Sequence, residues 1–236
     1  MAYIFSNVPF PKSAWAPGME KLANEPTHHL PQNWYRALVL RAPPPAGFEG
    51  VEMIEAECRA VLDLAAFRSS RQAEIDAEAG KRWDAIANVQ QVLGPVRPAT
   101  QVMIDAAIDD LTCGVFRLKI DFNRGRPYHC CNLPINPLYQ AVGDKRYPGH
   151  PSYPSGHSSQ AFTTALLYAH LFPTLRGSLL TAARRVARNR EIAGLHFPSD
   201  TEAGFDLSVQ FVAMLVENKS FRLLLDAAHQ EWPELA

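Results

Sequence analysis

His196 and Asp200 stand four residues apart, a spacing that can make a nucleophile. Four residues span about one helical turn, so the carboxylate can accept from the ring's Nδ1–H. That bond selects the tautomer and leaves Nε2 as an outward lone pair. Pro198 suits the first turn of the helix that would carry Asp200. Gly194 permits the bend that returns Arg190 toward the ring. A second cluster is the run from Tyr153 to His157, Tyr-Pro-Ser-Gly-His. Ser155 is a good N-cap, and Gly156 lets a bound group approach the backbone. The amides of a helix start favour an anion, and His157 would sit beside it. A third cluster is Lys119 and Arg126, seven residues apart and followed by Pro127. Seven residues are nearly two turns, so both cations are expected on one helix face, with the helix ending at Arg126. Lys119, Arg126 and Arg190 are local cations beside a helix start and a nucleophilic ring, and the chemistry they suit is recognition of, and attack on, an anionic group.

Helices must position these side chains. Apolar residues at spacings of three and four predict helices over about 99–123, 156–172, 174–192 and 197–217, with a short one over 219–230. The 197–217 helix is apolar on most faces and is expected to be central. Upstream, Val51, Ile54, Cys58, Val61 and Leu62 mark one helix. Ile75, Ala79, Trp83, Ile86 and Val89 mark a second, ended by Gly94-Pro95. Residues 1–48 are rich in proline and read as an extended arm that wraps the core through Trp15, Trp34 and Tyr35. Residues 128–153 read as a long functional loop. Its Tyr128, His129, Tyr139 and Tyr147 are the expected substrate-selecting side chains. No run alternates as a strand. The expectation is an all-α chain: the arm, then one helical domain over 49–236.

The totals narrow the function. A chain of 236 residues, 47% apolar and 20% charged, can bury a core without metals or disulfides. A net charge of −1 gives no global field for nucleic acid or an anionic membrane. No stretch approaches the roughly 20 apolar residues of a membrane span. The first residues do not read as a signal peptide, so the expected location is the cytoplasm if Met1 is the native start. It is the periplasm or the exterior if a leader was removed. Four cysteines, Cys58, Cys113, Cys130 and Cys131, lack zinc spacing. They are read as free thiols, with a Cys113–Cys130 or Cys58–Cys131 bridge as the alternatives.

The order Lys-x6-Arg-Pro, Pro-Ser-Gly-His, Arg-x5-His-x3-Asp resembles the type 2 phosphatidic acid phosphatase (PAP2) superfamily. That superfamily includes soluble bacterial class A nonspecific acid phosphatases and vanadium-dependent haloperoxidases. The likeness covers roughly residues 100–230 and is nearest to the class A enzymes. Asn189 stands where the family usually has Ser before the arginine. Pro151 and Ser158 replace a Gly and a Thr flanking the second motif. The resemblance implies a helical bundle of the PAP2/haloperoxidase type that hydrolyses small soluble phosphate monoesters. His196 would attack, Asp200 would orient it, and His157 would protonate the leaving alkoxide and then activate water. Lys119, Arg126, Arg190, the Ser155 hydroxyl and the amides of Ser155 and Gly156 would bind the phosphoryl oxygens. No metal ligand and no cofactor are implied, and neither nucleic acid nor membrane insertion. Homo-oligomerisation is left open. The competing readings are a vanadium-dependent haloperoxidase holding vanadate on His196, a membrane lipid phosphatase and a non-catalytic phosphate-binding protein.

Overall fold

The computed structural model describes residues 7–45, 50–78, 84–131 and 149–233. Among them the helices are α1 (Met19–Ala23), α2 (Val51–Leu64), α3 (Arg68–Ala77), α4 (Asp84–Gln90) and α5 (Pro98–Phe122). They continue with α6 (Pro127–Cys130), α7 (Gly156–Leu171), α8 (Arg176–Ile192), α9 (Pro198–Glu217) and α10 (Lys219–Gln230). The described residues contain no strand; the extended pairing they show is an isolated bridge between Pro9 and Arg124. The fold is all-α, as expected. No described helix is long and apolar enough to cross a membrane.

The central helix is α7, not α9. It packs along both α8 and α9 and also meets α4 and α5. Its polar residues hid this in the sequence. Ser159 and Thr164 donate their hydroxyls to the carbonyls of Ser155 and Gln160, so α7 buries them without an unmet donor. In α9, Leu207, Phe211 and Leu215 are buried, but Val209 remains 43% exposed. The main core joins Ile104, Leu111, Leu167, Tyr168, Val186 and Phe211, each fully buried. Each large apolar side chain there contributes about 1.5–3 kcal/mol through burial.

The N-terminal segment is pinned by specific contacts. Buried Asp110 on α5 accepts from the backbone N–H groups of His28, His29 and Leu30. Trp34 lies against Phe211, with ring centroids 4.6 Å apart, and Tyr35 is also buried. Trp34 also closes on Gly114, where an added Cβ would stand 2.2 Å from the indole. Trp15 is only partly buried, and Lys12 lies over its ring.

Two local expectations are corrected. Helix α5 ends at Phe122, because Asn123 takes a left-handed conformation (φ 42°) and its N–H caps Lys119 O. Residues 124–126 then run extended beside the arm, through Phe10 N–H to Asn123 O and Gly125 N–H to Val8 O. Lys119 and Arg126 are therefore not on one helix face. The cysteines are not all free: Cys58 on α2 is bonded to Cys131 just after α6, while Cys113 and Cys130 are buried thiols. The bridge forms because α2 packs directly on α6. The expected second helix falls in α3 and α4, with residues 79–83 between them outside the described part.

Candidate active site

His196 lies in the turn between α8 and α9. Gly194 (φ 74°) reverses the chain, and Arg190 O accepts from the N–H groups of both Leu195 and His196. Asp200, in the first turn of α9, reaches back to Phe197 N–H at 2.9 Å and to His196 Nδ1 at 3.2 Å. Arg126 Nη1 lies 3.3 Å from His196 Nε2 and donates to Leu195 O at 2.7 Å. A guanidinium can only donate and a carboxylate only accept, so Arg126 and Asp200 together leave Nε2 as the acceptor and put the proton on Nδ1. The ring is fully buried. Burial, then Arg126, push its pKa down to about 3 against the pull of Asp200. His196 is thus a neutral imidazole with its lone pair among cations.

Lys119 is buried and close enough to act electrostatically on His196. Its ammonium donates to three carbonyls, Pro151, Ser152 and Pro154, at 2.6–3.0 Å. Burial, then Arg126, lower its pKa well below the usual lysine range. Lys119 therefore shapes the segment leading into α7. Ser155 caps α7, its hydroxyl accepting from Ser158 N–H at 3.4 Å. Its own N–H is committed to Asp200 O at 3.0 Å, so the expected Ser155 amide is not presented to a ligand. Gly156 opens the first turn of α7, where only Val115 would come within 4 Å of an added Cβ.

His157 Nε2 is 2.9 Å from Glu78 O, and a carbonyl only accepts, so Nε2 carries hydrogen. Burial, then Arg190, hold His157 well below the usual histidine range, so it too is neutral here. Arg190 pairs with buried Glu78 at 2.8 Å and donates to Ile75 O. Asn189, in the place of the family's usual Ser, donates to Glu78 Oε1 at 2.8 Å and accepts from Arg71.

The three clusters therefore converge, and four further residues join them. Glu78 orients Arg190 and holds His157. His150 lies 3.1 Å from Arg126 Nη2. Arg124 and Glu57 bracket Asp200, with Arg124 paired to both carboxylates at 2.6 Å. Arg124 was visible inside the Lys-x6-Arg-Pro segment; Glu57 on α2 and Glu78 just after α3 are remote in sequence and carried no signal. Of the expected substrate-loop residues, Tyr139 and Tyr147 fall outside the described residues. Tyr128 packs against the Leu64, Ile75 and Leu195 cluster. His129 accepts from Arg126 N–H at 3.2 Å and meets the Phe10 ring edge-on, so it braces α6. Among the described residues no group of three or more His, Cys, Asp or Glu side chains could hold a metal ion.

A family model described as the PAP2 superfamily matches residues 100–222. An acid phosphatase of Zymomonas mobilis is 30% identical over 115 residues, 49% of this chain and 42% of that protein. A non-specific acid phosphatase of Providencia stuartii is 31% identical over 84 residues, 36% of this chain and 34% of that one. A lipid A 1-phosphatase of Rhizobium johnstonii is 29% identical over 117 residues, 49% of this chain and 47% of that one. The chain thus spans less than half the length of each of these relatives. An apo-type bacterial vanadium-dependent chloroperoxidase shares the fold, with TM-score 0.64 at 12% identity, over 89% of this chain and 56% of that one. A holo-type structure of such an enzyme gives TM-score 0.55 at 16% identity, over 89% and 55%.

Proposed function

This chain belongs to the PAP2 superfamily, and on that premise we propose that it hydrolyses small phosphate monoesters through a phosphohistidine on His196. The observation that carries the reading is the proton placement on His196. Its Nδ1–H is turned to Asp200, and its Nε2 lone pair faces the Arg126 guanidinium. An incoming phosphoryl group takes the place of that lone-pair contact and draws Arg126 onto an oxygen. Arg190 and the amides at the start of α7 supply further donors. Lys119 acts by holding the 151–154 carbonyls and by its charge. It becomes a direct ligand only if one of its three bonds exchanges.

His196 Nε2 attacks phosphorus as the P–O ester bond breaks. His157 keeps its Nε2–H on Glu78 O, so the proton for the leaving alkoxide comes from Nδ1, charged once the dianionic ester is bound. A water then attacks phosphorus, His157 takes its proton, and the P–N bond breaks to release phosphate. The resting imidazole is neutral because burial and Arg190 disfavour its charge. Two negative charges from the ester oppose both causes.

The test is a denaturant quench during turnover of a radiolabelled aryl phosphate. A label on protein, stable in alkali and lost in acid, is expected in the native chain and absent from His196→Ala. Vanadate should compete with substrate, because it adopts the five-coordinate geometry of the transition state. EDTA should have no effect. Peroxide-dependent bromination with added vanadate, in place of ester hydrolysis, would sink the reading, as would activity that EDTA abolishes and a divalent metal restores.

A further inference from the structure

Arg124 lies between Lys119 and Arg126 in sequence, yet its guanidinium meets Asp200, Ser199 and Glu57 rather than His196. Its side chain is fully buried. Nη1 donates to Asp200 Oδ1 at 2.6 Å and to Ser199 Oγ at 2.7 Å, and Nη2 donates to Glu57 Oε2 at 2.6 Å. The guanidinium lies 4.2 Å above the Phe197 ring, and Arg124 O accepts from Ser152 N–H. Glu57 in turn accepts from Ser199 N–H at the start of α9. One residue therefore links the first motif to the second through its backbone and to the third through its side chain.

Resting on the phosphatase reading above, we propose that Arg124 is a positioning residue that locks the Asp200 carboxylate against His196. Asp200 divides its two oxygens. Oδ1 is held by Arg124, which leaves Oδ2 in the one orientation that meets both Phe197 N–H and His196 Nδ1. Without Arg124, Oδ1 loses its partner and only the Phe197 and His196 contacts on Oδ2 hold the carboxylate. Burial then pushes it toward the neutral form, which no longer only accepts and so selects the His196 tautomer less firmly. Burial acts on Asp200 to raise its pKa, and Arg124 is the largest of the influences that hold it below the usual range.

Other charges face this pair. Lys119 and Arg126 depress His196, with weaker effects among His150, His157 and His196. Glu191 on α8 and Glu57 on α2 are the neighbouring carboxylates. Burial raises both Cys130 and Tyr153, which stay neutral through the acid range.

The test compares the native chain with Arg124→Gln, using chain labelled with 15N histidine. The native His196 ring should show the Nδ1–H tautomer alone, and the variant should show a mixture. In the variant, kcat on an aryl phosphate should fall about 10²-fold, and the acid limb should move up by about 1–3 pH units. KM and inhibition by inorganic phosphate should stay near native, because Arg126 and Arg190 remain. Glu57→Gln tests the same link with the cation kept. Arg124 then serves Asp200 alone, and the acid limb should stay or move down. This second variant decides the matter if Arg124→Gln does not fold. A folded Arg124→Gln with native tautomer and pH profile, or an upward shift in Glu57→Gln, overturns the proposal. If the native chain hydrolyses no ester, the phosphatase reading fails while the ring spectrum still tests Arg124.

Discussion

His196 is neutral because its surroundings forbid a second proton, and that decides what each substitution should do. On the proposed mechanism the ring is the nucleophile, so His196→Ala should retain its helical circular dichroism and show neither turnover nor phosphoenzyme. Asp200→Asn keeps the nucleophile but loses control of its tautomer. Turnover should fall by up to about 10⁴-fold and remain measurable. His157→Ala tests the acid. Alkyl phosphates need leaving-group protonation and should slow by about 10²–10⁴-fold, whereas aryl phosphates should slow much less. Equal losses for the two ester classes would remove His157 from that role.

The seam between α7 and α9 sets how Ser155 and His157 face His196 and Asp200. Gly204 is a point of close approach. A Cβ there would stand 2.7 Å from the Ser158 Cβ and Oγ and 3.0 Å from Ser155 O. Gly204→Ala must push the helices apart, and overpacking of this kind costs about 1–3 kcal/mol. A shift of about 1 Å between reacting groups costs about 10²-fold in rate, so kcat should fall more than the lowered Tm explains. Native kcat and Tm together would show that the seam is not tight. On the other side, Cys58–Cys131 joins α2 to the end of α6 across 73 residues. Glu57, beside Cys58, braces both Arg124 and the start of α9. Cys58→Ser should lower unfolding stability in urea by about 2–4 kcal/mol. Dithiothreitol should bring the native chain to the same value.

For the molecule as a whole, burial of imidazoles links stability to pH. Burial, the largest cause in each case, lowers His196 to about 3 and holds His150 and His157 well below the usual histidine value. The unfolded chain binds protons at these sites once pH falls below about 6.5, while the folded chain does not, so stability drops as pH falls. Each site contributes up to about 1.4 kcal/mol per pH unit, continuing for His196 toward pH 3. Glu78 and Glu191, whose carboxyls burial pushes up, act in the opposite sense and reduce the slope. Asp200, held below the usual range, adds its own loss once pH falls toward about 4, the unfolded carboxylate's range, and below. Thermal melts from pH 7 to pH 4 should show a steep decline in Tm. Vanadate should offset part of that decline, since a bound anion favours the protonated imidazoles. A flat Tm over this range would mean the three rings are solvated.

The local code of the chain was enough to mark most of the helices and the side chains that meet around His196. Periodicity placed α7, α8, α9 and α10 to within a residue or two. The pairs His196–Asp200 and Ser155–Gly156 were legible because a cap or a contact across one turn depends only on near neighbours along the chain. What lay between elements was not legible. The αL turn at Asn123 took Arg126 off the face of α5, and that turn depends on pairing with the arm at Phe10 and Val8. The Cys58–Cys131 pairing required α2 to meet α6. The partners of Asp200, Arg190 and His157 are Arg124 and Glu78, with Glu57 behind Arg124, brought in from segments far apart in sequence. A buried charge needs a partner, but any acidic residue on a packed neighbour can supply it. Which one does so is decided only when the helices dock.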